Sequence, residues 1–209
     1  MRYSSLGPAL AAALLTGAAF AAAPPAAPPA PAAAPAAAGR HYTLDAAQSS
    51  LQFTFLQAGA QNSGRFPRFA VALDFPGADP AGGRLDVMVE VAALDTGDKD
   101  RDDTLKSDEL FAVKKFPQAH FSATQIARTA AGFEAAGNLT IRGVTRPATV
   151  PFTFREAAGG AIGYMAGKTV VRRLDYGVGQ GEWKATDQAG NEVTVSFSLR
   201  LTAATRPGA

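Results

Sequence analysis

The sequence predicts an all-β, antiparallel fold of about eight or nine strands, arranged as a sandwich or a barrel. Three observations carry that prediction. Apolar side chains recur at every second residue through most of the chain. Short clusters of Gly, Pro, Asp and Asn cut the alternation into strand-length pieces. Only one stretch departs from the period toward a helix. Strands with one apolar and one polar face suit an antiparallel sheet that covers a core on one side.

The elements follow from the alternation in chain order. Leu51, Phe53 and Phe55 alternate with Gln52 and Thr54. Phe69, Val71, Leu73 and Phe75 do so with Ala70, Ala72 and Asp74, and Leu85, Val87, Val89 and Val91 with Asp86, Met88 and Glu90. From Asp100 to Phe111 the period breaks, and Leu105 with Glu109 and Leu110 suits a short helix capped by Asp102 or Asp103. Shorter strands are expected at 119–127, 133–136 and 138–142. Val150, Phe152 and Phe154 mark another, and one more lies within 164–176, where a change of phase at Val170-Val171 suggests a bulge. Val193, Val195, Phe197, Leu199 and Leu201 close the series. Turns are expected at Pro76-Gly77, Gly82-Gly83, Gly137-Asn138, Gly159-Gly160 and Gly190-Asn191.

Composition narrows the function. The chain has 209 residues, no cysteine and a formal net charge of +2. Lack of cysteine excludes disulfide staples, thiol nucleophiles, thiolate zinc sites and iron–sulfur clusters. His41 and His120 are the only histidines, too few for an all-histidine metal site. Residues 1–39 contain 18 alanines, 7 of the 14 prolines and a single charged side chain, Arg2. The remainder carries 19 basic and 18 acidic side chains and is close to neutral. A near-neutral domain lacks the clustered Lys and Arg that displace counterions from nucleic acid.

The N-terminus has the features of a secretory signal over residues 1–23: Arg2, an apolar run from Leu10 to Phe20, and small-x-small alanine sites. A membrane anchor is the alternative, but the run is short and rich in alanine. Residues 24–39 alternate Pro and Ala, which favours extended polyproline II and makes a semi-rigid linker. A domain over 40–203 and a tail of 204–209 complete the expected organisation, with the mature protein in the periplasm.

Twelve of the 13 phenylalanines fall in the domain, mostly at inward-phased strand positions. They fit an ordinary packed core, and they fit equally an eight-stranded barrel holding one small apolar ligand. A more specific pattern lies in the motifs. Tyr42-Thr43-Leu44-Asp45, Gly64-Arg65-Phe66, Asp95-Thr96-Gly97 and Lys115-Phe116-Pro117 come in order. They are followed by residues 137–147, GNLTIRGVTRP, and 173–179, RLDYGVG. In this order and spacing the chain resembles the YceI-like family over about residues 40–202. It departs from many members at Gln48 and Gln57, where they carry histidines.

The resemblance implies a lipocalin-like antiparallel β-barrel of about eight strands with a short helical excursion. It also implies a ligand of polyisoprenoid, quinone or other long-chain lipid type, bound without covalent chemistry or cofactor. Phe53, Phe55, Phe69, Val71, Phe75, Val89, Phe121, Phe152 and Phe154 are then expected to surround the lumen. Arg142 and Arg173 are candidates for contact with a headgroup. Some members occur beside b-type membrane cytochromes, which makes such a cytochrome a candidate partner. A non-catalytic interaction module with a filled core is the alternative function.

Other chemistry has weaker support. Asp98, Asp100 and Asp102 stand at calcium-loop spacing with Glu109, but Asp103 occupies the position that requires glycine. A solvated acidic turn is expected instead, and no metal. His120 and Ser122 share one strand face, yet there is no nucleophile elbow and no phosphate loop. No enzymatic activity is expected. Asn138-Leu139-Thr140 is expected to be turn chemistry.

Overall fold

The computed structural model describes residues 39–204. Among these, ten strand segments form one antiparallel sheet that closes on itself. They are β1 (Arg40–Leu44), β2 (Ser50–Gln57), β3 (Ala60–Arg65), β4 (Phe69–Phe75) and β5 (Arg84–Glu90), then β6 (Gln118–Thr129), β7 (Gly132–Ile141), β8 (Val144–Glu156), β9 (Ile162–Arg172) and β10 (Glu192–Ala203).

The sheet runs β1-β4-β5-β6-β7-β8-β9-β10, and β10 pairs back to β1. The far half of β10 pairs with β1 (Leu201 opposite Leu44), while its near half pairs with β2 (Phe197 opposite Leu51). β1 and β2 therefore share one position in the wall, interrupted by a 3-10 turn at Ala46–Gln48. β3 pairs with β2 as β4 pairs with β1, so these two segments share the next position. The result is a closed eight-stranded barrel, in which β3 pairs only with β2 apart from a bridge between Arg65 and Asp95.

Among the described residues there is one α-helix, α1 (Lys99–Lys106), which takes no place in the sheet. It is shorter than expected. Its N-cap is Asp98, whose side chain accepts from the Arg101 amide at 3.0 Å, rather than Asp102 or Asp103. Asp102 instead accepts from the amide and hydroxyl of Thr96, at 2.9 and 2.7 Å, and Asp103 pairs with Lys99.

Three further expectations are corrected. β9 pairs with β10 in unbroken register from Ile162 to Arg172, so it has no bulge. Val170 points outward, at 55% exposure, and Val171 faces the lumen; two adjacent valines imitated a phase change. The bulge lies in β6, between Ala123 and Gln125. Gly137-Asn138 is no turn but the middle of β7, which fuses the two short strands expected there, and Asn138-Leu139-Thr140 is strand as well. The leader, the linker and residues 205–209 lie outside the described residues.

Two apolar clusters hold the domain. The larger fills one end of the barrel and the adjoining wall, from Tyr42 and Phe75 through Ile126 and Phe133 to Leu201. The smaller joins Leu110, Tyr176 and Val178 with Leu105, Phe111 and Trp183, and belongs to two segments that cross the other end.

Candidate functional site

The strands deliver different side chains to the two ends. At the closed end Tyr42 stacks on Phe75 with centroids 5.7 Å apart, and Phe154 meets both edge-on. The Tyr42 hydroxyl donates to the Gly160 carbonyl at 2.5 Å and lies 3.0 Å from Glu156, which Arg40 also holds at 2.9 Å. Burial pushes the Tyr42 phenol above its ordinary value.

Toward the other end valines mix with phenylalanines at the inward positions, and the rings gather at the neck, where Phe53 meets Phe55 and Phe66, without filling the axis. A cavity of about 180 Å³ remains. Phe69, Val71, Val89 and Phe121 line it, together with Phe53 at its neck. Phe55 lines a second space outside the neck, of about 360 Å³, which shares Phe53, Phe111, Arg173, Val178 and Val193 with the first. The two spaces form a lumen and a vestibule. Phe75, Phe152 and Phe154 face inward but do not line the lumen. Phe75 and Phe154 belong to the aromatic plug, and Phe152 stacks on Phe133 with centroids 5.6 Å apart.

The Phe53 ring lies flat against β3 because Gly64 stands opposite, where a Cβ would come within 2.4 Å of the ring. Phe66 packs on its other side, 4.8 Å away. Sequence periodicity missed the residues that cover the mouth. Phe111 follows α1 and Val178 and Trp183 follow β9, outside any strand phase, and their apolar character in loops was the one signal available. Backbone amides of Gly179 and Gln180 donate to the Glu109 carbonyl at 3.1 and 2.8 Å, which ties the two covering segments together.

The two candidate arginines part company. Arg142 reaches the Asp108 carbonyl at 2.8 Å and clips the loop after α1 to the β7–β8 turn; it lines neither space. Arg173 lines both. It is 7% exposed, and its guanidinium donates to the carbonyls of Gly190 at 2.9 Å, Val178 at 2.8 Å and Ala189 at 2.6 Å. Gly179, at φ 118, leaves the room: a Cβ there would stand 1.9 Å from Arg173 Nη1. Burial lowers the Arg173 pKa from its ordinary value.

Both histidines pair with carboxylates and line neither space. His120 pairs with Asp86 at 2.8 Å and His41 with Asp74 at 2.9 Å. With Phe121 directed into the lumen, His120 and Ser122 lie on the outer face of β6. Asp98 and Asp100 line the vestibule beside Arg101.

A family model described as the YceI-like domain matches residues 42–201. The chain belongs to that family. BcnA of Burkholderia cenocepacia is 33% identical, with a TM-score of 0.69 over 78% of this chain and 99% of that one. A domain of Saccharophagus degradans, described as polyisoprenoid binding and implicated in plant cell wall breakdown, shares the fold. It is 17% identical, with a TM-score of 0.60 over 78% of this YceI-like chain and 98% of its own. A UPF0312 protein of Yersinia enterocolitica is 33% identical over 112 residues, which is 54% of this chain and 55% of the relative. The chain thus spans about half the length of the curated relatives it matches.

Proposed function

We propose that this YceI-like chain is an exported carrier that sequesters an isoprenoid-type amphiphile, a polyprenyl or quinone lipid, in the barrel lumen. The observation that carries the proposal is an apolar lumen that adjoins a partly polar vestibule across shared lining residues. Burying a prenyl tail there gains about 0.8 kcal/mol per CH₂, which offsets removing the lipid from a bilayer. The lumen alone, at about 180 Å³, is smaller than sites for drug-sized ligands, which run to roughly 300–1,000 Å³. A ligand of that class therefore spans lumen and vestibule together. The Saccharophagus degradans domain, described as polyisoprenoid binding, lends support on the same chemistry.

Binding is non-covalent and uses no cofactor. Export rests on Arg2 and the apolar run from Leu10 to Phe20, and places the carrier in the periplasm, tethered or spaced by the Pro/Ala linker. A quinone ligand would make a b-type membrane cytochrome a fitting partner.

Native mass spectrometry of the full chain purified from its own host tests the proposal. The expected result is an added mass that organic extraction releases as an isoprenoid lipid. A lipid-free protein that also fails to bind added prenyl quinone would overturn it and leave a barrel acting through its surface.

A further inference from the structure

We propose that Arg173 makes the neck between lumen and vestibule a receptor for an anionic headgroup, so that the barrel selects a tailed phosphate or carboxylate over the neutral alcohol bearing the same tail. The inference rests on the carrier proposal and names the ligand class that the same cavity takes.

The guanidinium is permanently charged and more than nine-tenths buried. Its partners are three backbone carbonyls, from Val178, Ala189 and Gly190, and among the described residues no carboxylate pairs with it. Those bonds use one N–H on each nitrogen, which leaves one more N–H on Nη1 and one on Nη2. A charge withdrawn from water without an opposite charge is costly, and an anion brought to it recovers much of that cost. The planar fork also suits the paired oxygens of phosphate and carboxylate.

Position decides where the anion sits. Arg173 lines both spaces, but no polar atom of it is exposed to the lumen, so an anion reaches the guanidinium from the vestibule side of the neck. The rest of the lumen lining is apolar apart from Thr169, so a tail belongs there and a charge does not. The vestibule holds Asp98, Asp100 and Arg101 as well. Arg101 answers Asp98 at 3.6 Å, and Asp98 also caps α1. With Asp100 added, the outer vestibule offers an anion no net attraction. The neck is therefore the place where an anionic head and an apolar tail are both satisfied.

The test compares farnesyl monophosphate, farnesol and inorganic phosphate on the full chain, by displacement of a fluorescent prenyl probe and by calorimetry. Farnesyl monophosphate is expected to bind at least tenfold more tightly than farnesol, with inorganic phosphate too weak to measure. Arg173→Gln should collapse that ratio while farnesol still binds. Arg173→Lys, which keeps the charge and loses the fork, should retain part of it. The wild-type ratio decides even if Arg173→Gln fails to fold. Equal binding of the phosphate and the alcohol would overturn the role of Arg173 and leave the lumen as a tail site. Binding of inorganic phosphate as tight as that of the tailed phosphate would mark a free-anion site and would also overturn it. Failure of both tailed compounds to bind, with the farnesol arm null, would sink the carrier proposal itself.

Discussion

The two ends of the barrel use the same alternating strands to opposite effect. At the closed end the inward positions carry large rings whose strands bring them together: Tyr42, Phe75 and Phe154 meet within 5.7 Å. At the mouth end β4 and β8 carry Val71 and Val150 at inward positions, beside Val89 of β5 and Val171 of β9, and these short side chains leave space among the phenylalanines that share the lining. A barrel of eight strands is wide enough for either outcome. Strand phase decides which side chains point inward, and side-chain length decides whether the interior fills. Cover for the mouth comes from outside the strands, from Phe111, Val178 and Trp183, on segments joined through the Glu109 carbonyl.

The largest expected effect comes from removing a ring of the plug. Phe75 is 2% exposed and contacts Tyr42 and Phe154, so Phe75→Ala should cost about 3–5 kcal/mol. Phe55 lines the vestibule and is half-buried, so Phe55→Ala should cost well under half of that and weaken ligand binding instead. Urea unfolding of both variants measures the contrast. Equal destabilisation would mean that the mouth is packed as the plug is.

Adding volume reverses the roles. Val71 and Leu73 lie on the same face of β4 and belong to the same buried cluster, but only Val71 also borders the lumen. Leu73→Trp should cost about 1–3 kcal/mol or more, the usual penalty of overpacking. Val71→Trp and Val89→Trp should grow into empty space at little cost and reduce prenyl-quinone binding at least tenfold. Fluorescence titration and denaturation on the same samples give both numbers. Strong destabilisation by all three tryptophans would erase the distinction between the ends.

Much of this contrast was legible in the sequence, and the illegible part has physical causes. Period-two alternation gave eight of the ten strand segments, though not β1 or β3, and the inward phase of all seven phenylalanines, because a pleated strand turns successive side chains to opposite faces. It could not separate Phe75, Phe152 and Phe154 from Phe53 and Phe121, since plug and lumen share one phase. β3 was missed because its residues, AQNSGR, carry no apolar stripe and Gly64 only makes room for Phe53. Val170-Val171 misled because an exposed valine breaks the polar half of the pattern. Gly137-Asn138 misled because turn-forming residues also occur inside strands, here opposite Ser122 and Ala123 beside the bulge in β6. Of the two arginines singled out, burial chose Arg173, and no local pattern in the sequence reports burial of a charge.

Alkaline pH sharpens the comparison next. Tyr42 in the plug and Tyr176 under the mouth cover are both pushed above the ordinary tyrosine value of 10.0, by burial first in each case. A folded-state value raised above the unfolded one gives stability that is complete below pH 10. That stability is lost as pH rises through the higher folded value. Wild-type stability should therefore decline above pH 10. Tyr42→Phe and Tyr176→Phe should each flatten that decline, by less than the packing effects above. Chemical denaturation at pH 8 and at pH 10.5 or higher would measure it. An undiminished decline in the double variant would assign the alkaline loss to other groups.

The smallest effect belongs to the outer wall. His120 and Asp86 form their 2.8 Å pair at side-chain exposures of 38% and 52%, on the face of β6 turned away from the lumen. An exposed pair of this kind is worth about 0–1 kcal/mol, because water and salt screen it and two side chains lose freedom to make it. His120→Gln keeps a polar side chain on that face, so its stability should stay within about 1 kcal/mol of wild type. Prenyl-quinone affinity should be unchanged, because Ala119 and Phe121, the residues on either side, hold the lumen face of the strand. The same variant probes chemistry. If the wild type hydrolysed an ester or glycoside and His120→Gln lost that activity, the outer face would hold a reacting site and the barrel would be more than a container. If instead affinity for the quinone fell tenfold with stability intact, the wall between the two faces of β6 would be too soft for the contrast between plug and lumen to be drawn from side-chain length alone.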